Sequence, residues 1–212
     1  MYTNKPEYFK QNVEHALSQP NLKAIIRRTT DKAEAKRAEA VANFPGFENA
    51  RLQGMKVKDH TIKYMDHYLA EFEKNAKAQG AIVHWASDGE QASRIVLDIC
   101  AQHEAKKVTR SKSMLGEEIG LGHALDNAGI DRVETDLAEH IIQLAGDPPS
   151  HIVWPAMHRS REDVVKLFRE FHKDPTSSVE IIELVRSARR DLRTKFLTAD
   201  IGISGSNFLL AD

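Results

Sequence analysis

From Ala81 onward, short apolar runs alternate with amphipathic stretches, and this rhythm constrains the fold more than any other feature of the chain. Strands separated by helix-length segments are joined by crossovers, so they pair in parallel within an α/β sheet. Residues 81–85 (Ala-Ile-Val-His-Trp) read as a first strand. Ala92, Ile95, Val96, Ile99, Cys100 and His103 then recur at helical spacing,. A second strand is expected over 106–109, and a helix over 115–128 closed by Gly129. The third strand, 130–134, leads into a helix over 137–145 that Gly146 ends,. Residues 150–154 give a fourth strand. Two helices follow, one turning Val164, Leu167, Phe168 and Phe171 inward, the other Ile181, Val185, Ala188 and Leu192. Residues 200–204 and 207–211 form a closing strand pair. The expected fold class is α/β, a mostly parallel sheet with helices on both faces.

Residues 1–80 follow a different pattern. Residues 23–42 are rich in Ala, Glu, Lys and Arg, all good helix formers, and stop before Phe44-Pro45-Gly46, a turn signal,. Ile62, Met65, Leu69, Phe72 and Ala76 then share one helical face, with Gly80 in C-cap position,. The expected organisation is a helical N-terminal arm over 1–80 and an α/β domain over 81–212. A charged arm of this kind is a solvated structural element or a subunit interface.

Composition narrows the function classes. Thirty Lys and Arg against 31 Asp and Glu give a net charge of −1, so no global basic field is available to hold nucleic acid,. No apolar run approaches the ~20 residues of a spanning helix. Residues 1–7 lack the apolar core of a secretion signal, and the expected location is the cytoplasm. The single cysteine, Cys100, excludes an internal disulfide and any four-cysteine zinc or iron–sulfur site within these 212 residues,. Its place in an apolar helical stripe makes it a buried structural thiol.

In open α/β sheets, ligands collect beyond the carboxyl ends of the strands. The segments there hold Ser87-Asp88-Gly89-Glu90, Arg110-Ser111-Lys112-Ser113, Thr135-Asp136, Pro155-Ala156-Met157-His158 and Gly205-Ser206-Asn207. The second is the sharpest. A strand followed by Arg-Ser-Lys-Ser at a helix start suits a carboxylate or phosphate; equally, Ser111 or Ser113 caps the helix, with Glu117 completing a capping box. The candidate ligand-binding residues are Arg110, Ser111, Lys112, Ser113, Ser204, Gly205 and Asn207. The candidate acid–base residues are Glu118, Glu134, Asp136 and His158. His151 and His158 lack a metal-ligand spacing, and His103, His123 and His140 read as surface or packing residues on helices. No metal site is expected. Gly202-x-x-Gly205 is too short for a dinucleotide fingerprint, and no Walker motif is present.

Four segments carry a family resemblance. They are 109–121 (TRSKSMLGEEIGL), 133–144 (VETDLAEHIIQL), 148–158 (PPSHIVWPAMH) and 199–208 (ADIGISGSNF). Their order and spacing resemble the lactate-utilisation protein B family. The resemblance implies a LUD-type domain, similar in fold to the sugar-phosphate isomerase and CoA-transferase superfamily. It also implies a cytoplasmic complex that oxidises L-lactate to pyruvate with other lactate-utilisation subunits, passing electrons through [4Fe–4S] clusters on a cysteine module near the C-terminus. This sequence stops at Leu210-Ala211-Asp212, ahead of that module, so it matches an N-terminal portion and no cofactor is expected in it. The leading expectation is the LUD-domain part of an iron–sulfur electron-transfer protein. The alternatives are a self-sufficient enzyme or binding domain for a small anionic ligand, and a non-catalytic interaction module. An exposed apolar edge at Phe208, Leu209 and Leu210 is expected to favour self-association.

Overall fold

Strand β1 (Lys107–Arg110) is the centre of the sheet, and its last three residues, Val108, Thr109 and Arg110, are all buried. The computed structural model describes residues 6–151 and 154–205. β1 is flanked in parallel by β2 (Asp131–Glu134) and β3 (Ile201–Ile203), in the order β2-β1-β3. The register pairs Thr109 with Val133 and Gly202, and Arg110 with Glu134 and Ile203. Among the described residues β2 is an edge strand whose outer backbone is covered by a side chain. The Gln143 amide accepts from the Glu134 N–H at 3.0 Å and donates to the Arg132 carbonyl at 2.8 Å. It thus mimics a missing strand neighbour. The Asp200 carboxylate accepts from the N–H groups of Lys106 and Lys107, anchoring β3 at the start of β1.

The helices follow their signals closely. α5 (Gly89–Gln102) is capped by Asp88, and α8 (Leu137–Ala145) by Asp136, with Gly146 left-handed at its end. α9 (Arg161–Phe171) opens on a Ser160–Asp163 capping box,. α10 (Ile181–Leu197) follows. One core cluster joins Cys100, Ala105, Val108, Leu121 and Leu125; the other joins Ile141, Val164, Val165, Phe168, Leu184 and Ala188. Burial pushes the Cys100 thiol pKa up, as for an inert packing thiol,. Phe171 and Ile181, expected inward, are 48% and 57% exposed.

Three local readings change. The helix expected over 115–128 is two short ones, α6 (Met114–Glu118) and α7 (Leu121–Asn127), separated by Gly120 at φ +69°. Residues 81–85 form no strand. α4 (Met65–Ala78) ends in a Schellman turn, Gly80 donating to the Lys77 carbonyl and Ala81 to that of Ala76,. Ile82 beyond it is 81% exposed, and Trp85 is exposed as well. The alternation there came from β-favouring residue types that no ladder supports. Ser150 and His151 form a bend, with the Ser150 N–H donating to the Pro155 carbonyl, and residues 155–158 form a turn; Ser150, His151 and Trp154 are not in the expected fourth strand. Residues 152–153 and the expected strand at 207–211, with its apolar edge, lie outside the described residues.

The chain divides into two compact units, residues 30–86 and residues 1–29 with 87–212. The first holds most of α2 (Leu22–Ala42), then α3 (Phe47–Lys63) and α4 (Met65–Ala78). The predicted single face from Ile62 to Ala76 is broken at Tyr64, where α3 ends. No described helix is long and apolar enough to cross a membrane.

Candidate functional site

Parallel pairing brings the last residues of β1 and β2, Arg110 and Glu134, side by side. Arg110 is 1% exposed. Its Nε lies 3.3 Å from Glu134 Oε1, and its Nη2 donates to the Glu117 carboxylate of α6. Arg132 donates to the same Glu134 oxygen at 2.8 Å and holds Asp126 with its other two donors. Two glycines make room: a Cβ on Gly122 would stand 3.0 Å from Arg110 Nη1, and Gly116 faces Nη2. Burial pushes the Glu134 carboxyl upward, while Arg110 and then Arg132 pull it down. The Arg110 charge is therefore taken up by two carboxylates of its own chain.

The neighbouring strand ends supply hydroxyls. Ser111 Oγ donates to Ser204 Oγ at 3.0 Å, and its N–H to the Ile203 carbonyl. Ser113 caps α6 by accepting from the Gly116 N–H at 3.0 Å. Glu117, free of the capping box, reaches Arg110 instead. Gly205 lies so close over Ser113 that an added Cβ would come within 2.0 Å of its Oγ. Arg110, Ser111, Ser113, Glu134, Ser204 and Gly205 thus share one rim of the sheet. Asp136 sits beside it as the α8 cap, accepting from the N–H groups of Ala138 and Glu139. Glu118 is exposed at the end of α6. Asn207 lies outside the described residues.

His158 belongs to a separate polar cluster with Ser150, Asp147 and Arg159. Its Nε2 is 2.9 Å from Asp147 and its Nδ1 2.8 Å from Ser150 Oγ, while Arg159 Nε donates to Asp147 at 2.7 Å. This cluster lines a cleft of about 920 Å³ whose other wall is the α1–α2 turn, including His15 and Ile25; Lys166 also faces it. α1 spans Phe9–Ser18.

One residue with perturbed chemistry was not marked by its spacing. Glu139 lines a smaller pocket of about 270 Å³ with Glu117, Ser150 and His151. Burial and the nearby Glu134 charge push its pKa up to about 7, against the pull of Lys112. Such a carboxyl exchanges a proton at neutral pH, the signature of a functional-site candidate. Sequence alone presents Glu139 as an ordinary helix first-turn acid; only its burial sets it apart. His140, His172 and Asp191 form the group of ligating side chains among the described residues that could hold a metal ion.

The family model of the LUD domain matches residues 69–212. Lactate utilization protein B of Bacillus subtilis (strain 168) is 36% identical over 205 residues, covering 96% of this chain and 43% of the relative. The protein of the same name from Bacillus licheniformis is 37% identical over 206 residues, with the same coverage. That from Geobacillus sp. (strain WCH70) is 36% identical over 206. The chain spans less than half the length of these curated relatives. No solved structure matches. The matched region contains the whole parallel sheet, the Arg110–Glu134 rim and the Glu139 pocket, and the chain belongs to the LUD-domain family.

Proposed function

We propose that this chain is the LUD-domain part of a cytoplasmic lactate-utilisation protein that passes electrons from L-lactate oxidation within a complex of several subunits. The observation that carries this reading is identity of 36–37% along 96% of the chain to proteins named for lactate utilisation. With one buried cysteine, this chain is no ligand set for a [4Fe–4S] cluster,. In this proposal the clusters belong to the part of the protein that the relatives carry outside the matched region. The rim then serves as a rigid, internally neutralised platform, and Glu139 is the group suited to take up or release a proton near pH 7.

A chimera tests the reading. In a Bacillus subtilis strain lacking its lactate utilization protein B, the matched region of that protein is replaced by this chain. Growth on L-lactate as sole carbon source is the expected result. A stably expressed chimera that supports growth on glucose and none on L-lactate contradicts the proposal.

One observation favours a second reading, a binding domain for a small carboxylate or phosphate. The 920 Å³ cleft has the size of a small-ligand site and carries His158, Arg159 and Lys166,. Titration of the purified chain with L-lactate, pyruvate and inorganic phosphate distinguishes the two. Saturable binding lost in Arg159→Ala supports a ligand site here.

A further inference from the structure

The second core cluster contains a polar group that its packing does not require. His140 comes from α8, His172 from the C-cap of α9, and Asp191 from α10. Three separate helices thus deliver imidazole, imidazole and carboxylate to one point. A ligand atom from each lies within 4.8 Å of the others. His140 is 1% exposed and His172 6%.

The hydrogen-bond directions decide what the imidazoles present to each other. Ser187 Oγ donates its single proton to the Asp174 carbonyl at 3.3 Å, so at 3.2 Å it accepts from His172 Nδ1–H. Neutral His172 therefore carries a lone pair on Nε2. That lone pair faces His140 Nε2 at 3.2 Å. Burial holds both imidazoles neutral, lowering the His140 pKa to about 4. Two nitrogens bound to one tetrahedral zinc ion, each at about 2.0–2.1 Å, are separated by about 3.3 Å. The pair already has that spacing. Without an ion, His140 Nε2–H donates to the His172 lone pair; its Nδ1 has no hydrogen-bond partner and is free to take the proton when Nε2 binds an ion.

The surroundings match a ligand set in two further ways. A metal-bound histidine commonly donates its other N–H to an oxygen acceptor, the part Ser187 plays for His172. The His172 ring is also fixed by stacking on Phe168, with centroids 4.0 Å apart. The Asp191 carboxylate pairs with Lys195 at 2.7 Å; that lysine is 29% exposed and can swing to solvent.

We infer that His140, His172 and Asp191 form a binding site for a divalent transition-metal ion of the zinc type, with Lys195 holding the carboxylate until the ion arrives. Imidazole and carboxylate suit zinc, and a water completes the tetrahedron. The inference is independent of the role in lactate utilisation.

The test uses the full chain, stripped with a chelator and titrated with zinc chloride against a chromophoric competitor, and with cobalt(II) as a spectroscopic reporter. One tight zinc per chain, a tetrahedral cobalt spectrum and a zinc-dependent rise in melting temperature are expected. His172→Gln should abolish all of these. Ser187→Ala should weaken binding by about 10–100-fold while keeping the fold. Lys195→Met should tighten it. The inference is overturned if the folded wild-type chain binds zinc no more tightly than folded His172→Gln, or shows only octahedral cobalt. The two histidines are then a hydrogen-bonded pair and nothing more.

Discussion

Replacing Arg110 with Met removes the cation at the centre of the rim while keeping most of its volume. Glu134, whose side chain is 5% exposed, then keeps Arg132 alone, and Glu117 turns to solvent. Breaking a buried pair on one side costs about 3–5 kcal/mol, because the remaining charge stays desolvated, here with Arg132 alone to compensate it,. For a protein of this size each kcal/mol moves the melting temperature by about 2–4 °C, so a fall of about 6–20 °C is expected at pH 8. Arg110 is also the strongest influence holding the Glu134 pKa down, so the penalty should shrink as pH falls and Glu134 takes a proton. Adding Glu134→Gln removes the stranded charge and should recover a large part of the loss. The assay is thermal unfolding by circular dichroism of wild type, both single variants and the double variant, at pH 8 and pH 5. Additive losses, with no coupling between the two sites and no pH dependence, would refute the reasoning.

Glu139 makes a prediction of opposite sign with pH. Its folded pKa of about 7 lies above the ordinary 4.5, so its contribution is present below about pH 4.5 and is lost as pH rises through 7,. At about 1.4 kcal/mol per unit, the loss reaches about 3.5 kcal/mol above pH 7,. In chelated buffer, Glu139→Gln should therefore gain stability relative to wild type between pH 4 and pH 8; a constant difference would contradict this. Gly205→Ala drives a Cβ into Ser113, with 3.1 Å to its Cα as well, and should cost about 1–3 kcal/mol in urea unfolding,. An unchanged urea midpoint would show that the 205 segment does not pack there. Asp136→Ala removes the α8 cap and should cost about 0.5–2 kcal/mol, with Asp136→Ser restoring most of it,.

Signals carried by the chain's own neighbours were legible. Gly146 ends α8 at the expected place because a C-cap acts within one turn, whereas Asp136, expected as an acid–base residue, and Ser160 are the N-caps of α8 and α9. β1 and β2 were found because short segments around the β-branched Val108 and Val133 lie between helical patterns. The failures came where partners lie far away in sequence. Residues 81–85 have strand-like composition and no ladder to join. Gly120 reads as a tolerated helical glycine, yet it takes a left-handed conformation and splits the helix. At the site, spacing brought Arg110, Ser111, Ser113, Glu134, Ser204 and Gly205 to one rim. It could not show that Arg110 spends its charge on Glu117 and Glu134. Nor could it show that His140 meets His172 across 32 positions, or that burial alone changes the chemistry of Glu139.

The central claim, a role in lactate utilisation, is tested most directly in the organism that encodes this chain. The region coding for it is deleted in frame, and L-lactate consumption and pyruvate formation are followed in washed cells. The account predicts that L-lactate consumption collapses, returns when the intact gene is supplied, and leaves glucose consumption unchanged. L-lactate consumed at the wild-type rate by the deletion strain, with no second LUD-domain protein induced, would contradict it.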